Sequence, residues 1–188
     1  MFLHYPGTND TFRAADVSLD RFAPGSIFHF GYPPLMRRMY RDGGRELTAL
    51  FRRARARGLV TSLDMAHPDP EAEAGRVNWR TILRRTLPHV DMFAPSLDET
   101  IFMLDPALWR RLQTRRSQQP GPERLASDMA ARLLNLGARA ILLKLGAHGL
   151  YLRTTPDARR LNFADPAEWA GQEMLVPCFR VRERGTTG

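Results

Sequence analysis

Two short clusters in this 188-residue chain bring together residue types and spacings that can do chemistry. The first is Pro95-Ser96-Leu97-Asp98-Glu99, directly after a short apolar run. A serine followed three residues later by glutamate is a capping box: the hydroxyl and the carboxylate satisfy each other's backbone N–H groups at a helix start. The same glutamate spacing suits a metal–phosphate centre, reached through water because Mg²⁺ keeps much of its hydration. The second cluster is Lys144-Leu145-Gly146-Ala147-His148-Gly149. Two glycines three apart after a buried run let the backbone approach a ligand closely, or make a hairpin turn.

Other sites of chemistry are absent from the sequence. There is no Gly-x-x-x-x-Gly-Lys-Ser/Thr loop, no Gly-x-Gly-x-x-Gly, no His-Glu-x-x-His and no Gly-x-Ser-x-Gly. The five histidines are scattered. A single cysteine, Cys178, forms no internal disulfide and holds no zinc alone, which fits a reducing, cytoplasmic setting. No apolar run approaches the roughly 20 residues of a membrane span, and Met1 to Pro6 lacks the pattern of a signal peptide.

The net charge of +8 invites a nucleic-acid reading, but 27 of the 28 basic residues are arginine. A phosphate-binding surface ordinarily mixes lysine with arginine. The bias reads as codon usage with solvated arginines, and no nucleic-acid partner is expected. Lys144 alone escapes it.

The elements that must position the two clusters alternate along the chain. Ser26 to Phe30 reads as a strand ended by Gly31 and two prolines. A helix spans Gly44 to Arg57, with Leu47, Leu50, Phe51 and Ala54 on one face and Gly58 as cap. Leu59 to Asp64 is a strand ending in a carboxylate. Asn78 caps a helix through Leu87. Val90 to Ala94 is the next strand. Pro122 to Asn135 is a helix stopped by Gly137. Arg139 to Leu145 is the most apolar strand, and Gly149 to Arg153 a short return strand. Thr154 to Glu173 reads as loop, and Leu175 to Val181 as extended chain. This alternation predicts an α/β domain with a mainly parallel sheet flanked by helices on both faces. Ligands in such sheets sit beyond the carboxyl ends of the strands. Those ends are Gly31-Tyr32, Asp64, Pro95-Ser96 and Lys144-Leu145-Gly146.

Taken together, the pieces resemble the PfkB/ribokinase family of carbohydrate kinases. Phe28-His29-Phe30-Gly31-Tyr32-Pro33 resembles the strand end leading into the sugar site, and Pro6-Gly7-Thr8-Asn9 is similar to a small motif before it. Leu87 to Glu99 resembles the stretch carrying the Asn-x-x-Glu motif. Ala138 to Gly149 resembles the nucleotide-side strand with its Thr/Lys-x-Gly-x-x-Gly turn. Gly185-Thr186-Thr187-Gly188 resembles the opening of the Asp-Thr-x-Gly-Ala-Gly-Asp signature.

The resemblance implies a ribokinase-like, three-layer fold, with residues 1–188 as the central part of one kinase domain, incomplete at both ends. It implies ATP and Mg²⁺, a small sugar-like substrate, and a homodimer as one possible full-length state. Lys144, Gly146 and Gly149 would contact nucleotide, the lysine as a point charge beside phosphate. Ser96 and Glu99 would face the metal. Tyr32 and Asp64 would lie on the substrate side, though hydrogen bonding to its own loop would equally use Asp64. Thr186, Thr187 and Gly188 would begin the anion hole that stabilises the transferring phosphoryl group. Three departures matter. Ser96 stands where the motif has asparagine. Gly185 stands where many members have aspartate, which removes support for a monovalent-cation site. The sequence ends before the aspartate that takes the substrate proton, so the chain alone is expected to bind nucleotide weakly and transfer no phosphate. The competing expectation is a non-catalytic nucleotide-binding or interaction module derived from the same fold.

Overall fold

Apolar runs bounded by glycine or proline become the strands of one sheet. The computed structural model describes residues 7–114 and 121–179. The strands are β1 (Ile27–Phe30), β2 (Val60–Leu63), β3 (Met92–Phe93), β4 (Ala140–Lys144), β5 (Leu150–Thr154) and β6 (Glu173–Val176), and they stand in chain order. β1 to β4 pair in parallel. β5 and β6 are antiparallel to their predecessors.

The helices are α1 (Arg37–Tyr40), α2 (Arg45–Ala56), α3 (Glu73–Arg76), α4 (Trp79–Thr86), α5 (Leu97–Leu104), α6 (Pro106–Thr114), α7 (Pro122–Asn135) and α8 (Pro166–Trp169). α2 buries the four predicted residues, Leu47, Leu50, Phe51 and Ala54. Asn78 caps α4 by accepting the Thr81 N–H at 3.0 Å. The stretch read as loop before β6 contains α8, and β6 begins at Glu173, two residues earlier than expected. The cause is side-chain pairing across the antiparallel strands: Tyr151 donates its hydroxyl to the Glu173 carboxylate, and Arg153 Nε lies 3.6 Å from it.

Parallel strands laid down in chain order, each joined by a right-handed crossover, send every crossover helix to the same face. That face holds the core. Phe28, Phe30, Leu63, Phe93, Ile141 and Leu143 point into it and meet apolar residues of α2, α4, α5 and α7. The Phe51 ring packs edge-on against Phe28 at 5.8 Å and Phe30 at 6.4 Å. The alternate residues point the other way. Ile27, Val60, Met92, Leu142, Leu150 and Val176 line an open apolar groove of about 540 Å³, with Ile27 66% exposed. Among the described residues the helix layer is therefore deep on one face. On the other the groove's lining includes the segment around α8, through Phe163 and Trp169.

The end of the sheet away from the candidate site is tied by a buried ionic cluster. Asp91, fully buried before β3, accepts the Thr61 N–H at 2.9 Å, the Thr61 hydroxyl at 3.0 Å and an Arg55 N–H at 2.7 Å. Arg139 donates to the carbonyls of Val90 and Pro88 at 3.1 and 2.6 Å. Burial, with neighbouring Arg55, lowers its pKa to about 10. An unpaired charge is costly in such a place, so each group needs the others.

Candidate functional site

The tips of β2, β3 and β4 carry most of the residues singled out by sequence. Just past β3, Ser96 forms an isolated parallel bridge with Lys144, and the Lys144 N–H donates to the Pro95 carbonyl at 2.9 Å. The serine–glutamate cluster and the lysine–glycine cluster are thus backbone neighbours.

Ser96 caps α5 as its spacing predicts. Its hydroxyl accepts the Glu99 N–H at 3.2 Å, and Glu99 Oε2 accepts the Ser96 N–H at 2.7 Å. The Thr100 hydroxyl donates back to the Ser96 carbonyl at 2.8 Å. The cap engages one oxygen of the Glu99 carboxylate and fixes it in the first turn, where the helix dipole favours negative charge. Asp98, in the same turn, accepts the Trp109 indole N–H at 3.0 Å and lies 3.1 Å from His67 Nε2. The His67 ring packs against Phe102 and Trp109 at 4.8 and 5.3 Å. Sequence reasoning missed this strap between the β2 loop and α5. The signal, a histidine just before Pro68 and Pro70 together with distant aromatics, has no fixed spacing.

Asp64 follows β2 and is held there by its N–H, which donates to the Phe30 carbonyl at 3.0 Å. Its Oδ1 accepts the Met65 N–H at 2.7 Å and the Lys144 ammonium at 2.6 Å. Local loop bonding and a long-range ion pair meet on one oxygen.

Gly146–His148 makes a short 3-10 turn between β4 and β5, closed by the Leu145 N–H donating to the Gly149 carbonyl at 2.8 Å. The two glycines serve different ends. A Cβ at Gly149 would lie 2.1 Å from the Val176 carbonyl oxygen, and φ is +100°. Close approach of the end of β6 explains this glycine. Gly146 has φ +58° with open space where a Cβ would project. It lines a cavity of about 470 Å³ together with Ser96, Asp98, Lys144 and the apolar side chains of Ile101 and Leu125.

Tyr32 stands at the tip of the edge strand β1, in a left-handed conformation (φ 61°) and 53% exposed. Below it on the open face, His29 Nδ1 and the Ser62 hydroxyl are 3.1 Å apart. Thr186, Thr187 and Gly188 lie outside the described residues.

Among the described residues no three His, Cys, Asp or Glu side chains gather into a metal cage. What the tips offer is hard oxygen from the Ser96 hydroxyl and the Glu99 carboxylate, only partly used by the cap. Mg²⁺ is characteristically held by one or two carboxylates, with water and phosphate completing its shell. The donor set fits that mode of binding.

No protein-family model matches the chain, and no curated protein matches it in sequence. Solved structures do. Aminoimidazole riboside kinase from Salmonella enterica, complexed with aminoimidazole riboside and an ATP analogue, superposes with a TM-score of 0.62 at 21% identity, covering 99% of this chain and 50% of its own. The PfkB protein from Polaromonas sp. JS666 gives 0.56 at 18% identity, over 92% of this chain and 47% of its own. Fructokinase from Vibrio cholerae O395, with fructose, ADP and calcium ion bound, gives 0.54 at 15% identity, over 94% and 45%. The chain therefore has the ribokinase-like α/β fold of PfkB-type carbohydrate kinases, and it spans about half the length of the structures it matches.

Proposed function

We propose that this chain is the central part of an ATP-dependent kinase that phosphorylates a hydroxyl of a sugar or sugar-like alcohol. The observation that carries the reading is the backbone bridge between Ser96 and Lys144 on adjacent strand tips, with Ser96, Asp98, Lys144 and Gly146 lining one cavity. Strand tips are where open α/β sheets bind ligands. The names of the similar structures point the same way, since one holds a riboside with an ATP analogue and another fructose with ADP.

In this reading Lys144 and the Gly146 backbone face the phosphates, and Gly149 shapes the turn that presents them. Ser96 and Glu99 face a Mg²⁺ ion, which when bound offsets repulsion among phosphate oxygens. Tyr32 and Asp64 border the acceptor sugar. The start of the anion hole is assigned to Thr186, Thr187 and Gly188. The proton acceptor is assigned to none of the described residues. The protein works in the cytoplasm without nucleic acid or membrane, and a homodimer is one arrangement of the whole protein.

A second reading, a non-catalytic interaction module, is favoured by one feature only, the open apolar sheet face. Thermal melts with and without MgATP, followed by ADP release against a sugar panel, separate the two. The kinase reading predicts that MgATP raises the melting temperature. A folded chain whose melting is unmoved by millimolar MgATP contradicts it.

A further inference from the structure

The Asp64–Lys144 pair spans the tip of β3. Lys144 ends β4, Asp64 follows β2, and the two are 80 residues apart in sequence. The lysine side chain must therefore lean over the Pro95-Ser96 corner to reach its partner. The partners differ in mobility. Asp64 has its backbone fixed to β1, its Oδ1 bonded to the Met65 N–H, and a side chain only 16% exposed. Lys144 is 46% exposed and, beyond its backbone, is anchored by the carboxylate.

We propose that Asp64 is a positioning residue: it holds the Lys144 ammonium over the Ser96 corner, ready for a phosphate group. This rests on the kinase reading and revises the placing of Asp64 on the acceptor side. An ammonium has three N–H donors. One goes to Asp64, and two remain for an anion. A guanidinium would tend to satisfy the carboxylate with both arms of its fork. That difference accounts for lysine at the one position where a chain with 27 arginines uses it. A flexible four-carbon stem loses rotamer freedom when it binds, and the carboxylate has already taken that loss. Asp64 also brings negative charge near the phosphates, but Lys144 and the Met65 N–H offset it at 2.6 and 2.7 Å.

The test uses isothermal titration of MgATP into the 188-residue chain. Lys144→Met and Asp64→Asn are each expected to weaken binding about 10-fold, the cost of one unanchored long side chain. The double variant is expected to bind no worse than Lys144→Met, and Asp64→Glu to recover most of the loss. Lys144→Arg is expected to bind more weakly than wild type. Because Lys144 is the only lysine, ¹³Cε-lysine labelling gives one NMR signal. MgATP should move that signal in the wild type and hardly move it in Asp64→Asn, a readout that a purely structural role leaves untouched. Asp64→Asn binding as well as wild type, or losses that multiply in the double variant, overturns the proposal while leaving the kinase reading intact. A folded wild type that binds no MgATP overturns both.

Discussion

Ser96, beyond the end of β3, pairs as a parallel bridge with Lys144, the last residue of β4, with the Lys144 N–H 2.9 Å from the Pro95 carbonyl. Neither strand extends further, so this bridge is the last rung of the ladder before solvent. It brings a helix start, a carboxylate and the chain's sole lysine to one corner. Substitutions at Ser96, Gly146, Gly149 and Asp91, and a pH series, test how the corner and its support are built.

Replacing Ser96 by alanine removes the hydroxyl that accepts the Glu99 N–H and loosens the reciprocal bond to Glu99. The expected loss is about 1 kcal/mol of stability, read as a lower urea midpoint. Asparagine caps about as well as serine, so Ser96→Asn should keep the midpoint near wild type. Ser96→Ala as stable as wild type would show that the cap is idle.

The two glycines of the turn should respond differently to alanine. At Gly149 a Cβ would collide with the Val176 carbonyl, so Gly149→Ala should displace β6. Hydrogen exchange would rise across Glu173–Val176, and stability should fall by 2 kcal/mol or more, on the order of an overpacked core site. At Gly146 only the positive φ is penalised, costing about 1 kcal/mol, with β6 still protected. Equal effects at both positions would contradict the division of roles.

Asp91 is the hub of the opposite end. Asp91→Ala leaves Arg139 buried and the Thr61 N–H without its acceptor. Breaking one partner out of a buried ionic cluster costs about 3 kcal/mol or more. Denaturant unfolding should show that loss, while the MgATP affinity of the folded fraction stays unchanged because the cluster lies at the far ends of the strands.

His89 supplies a pH signature. Partial burial, then the charges of Arg139, Arg55 and Arg52, lower its pKa below the ordinary histidine value. The unfolded chain therefore binds the proton more readily. Stability is fully present above about pH 6.5, the unfolded value, and declines as pH falls toward the lower folded value. Urea midpoints from pH 7.5 to 5 should fall in the wild type and fall less in His89→Gln. Identical slopes would remove His89 from the account.

Much of this was legible from residues alone. Leu47, Leu50, Phe51 and Ala54 repeat at helical spacing and form the buried face of α2. The capping box at Ser96 and the cap at Asn78 are local chemistry and form where the spacing puts them. What could not be read is set by contacts distant in sequence. Nothing near Asp64 announces Lys144. Gly149 is needed because of Val176, a strand away. β6 starts at Glu173 because Tyr151 and Arg153 hold that carboxylate. The uneven covering of the sheet's faces follows from strand order, which periodicity does not encode.

In the proposed function, phosphate is handled at the tips of β3 and β4. Hydrogen exchange with and without MgATP checks this. New protection is expected in peptides covering Pro95–Glu99 and Lys144–Gly149, with no change around Arg55, Asp91 and Arg139. Protection that appears at the Asp91 end, or nowhere in a chain that binds MgATP, would contradict it.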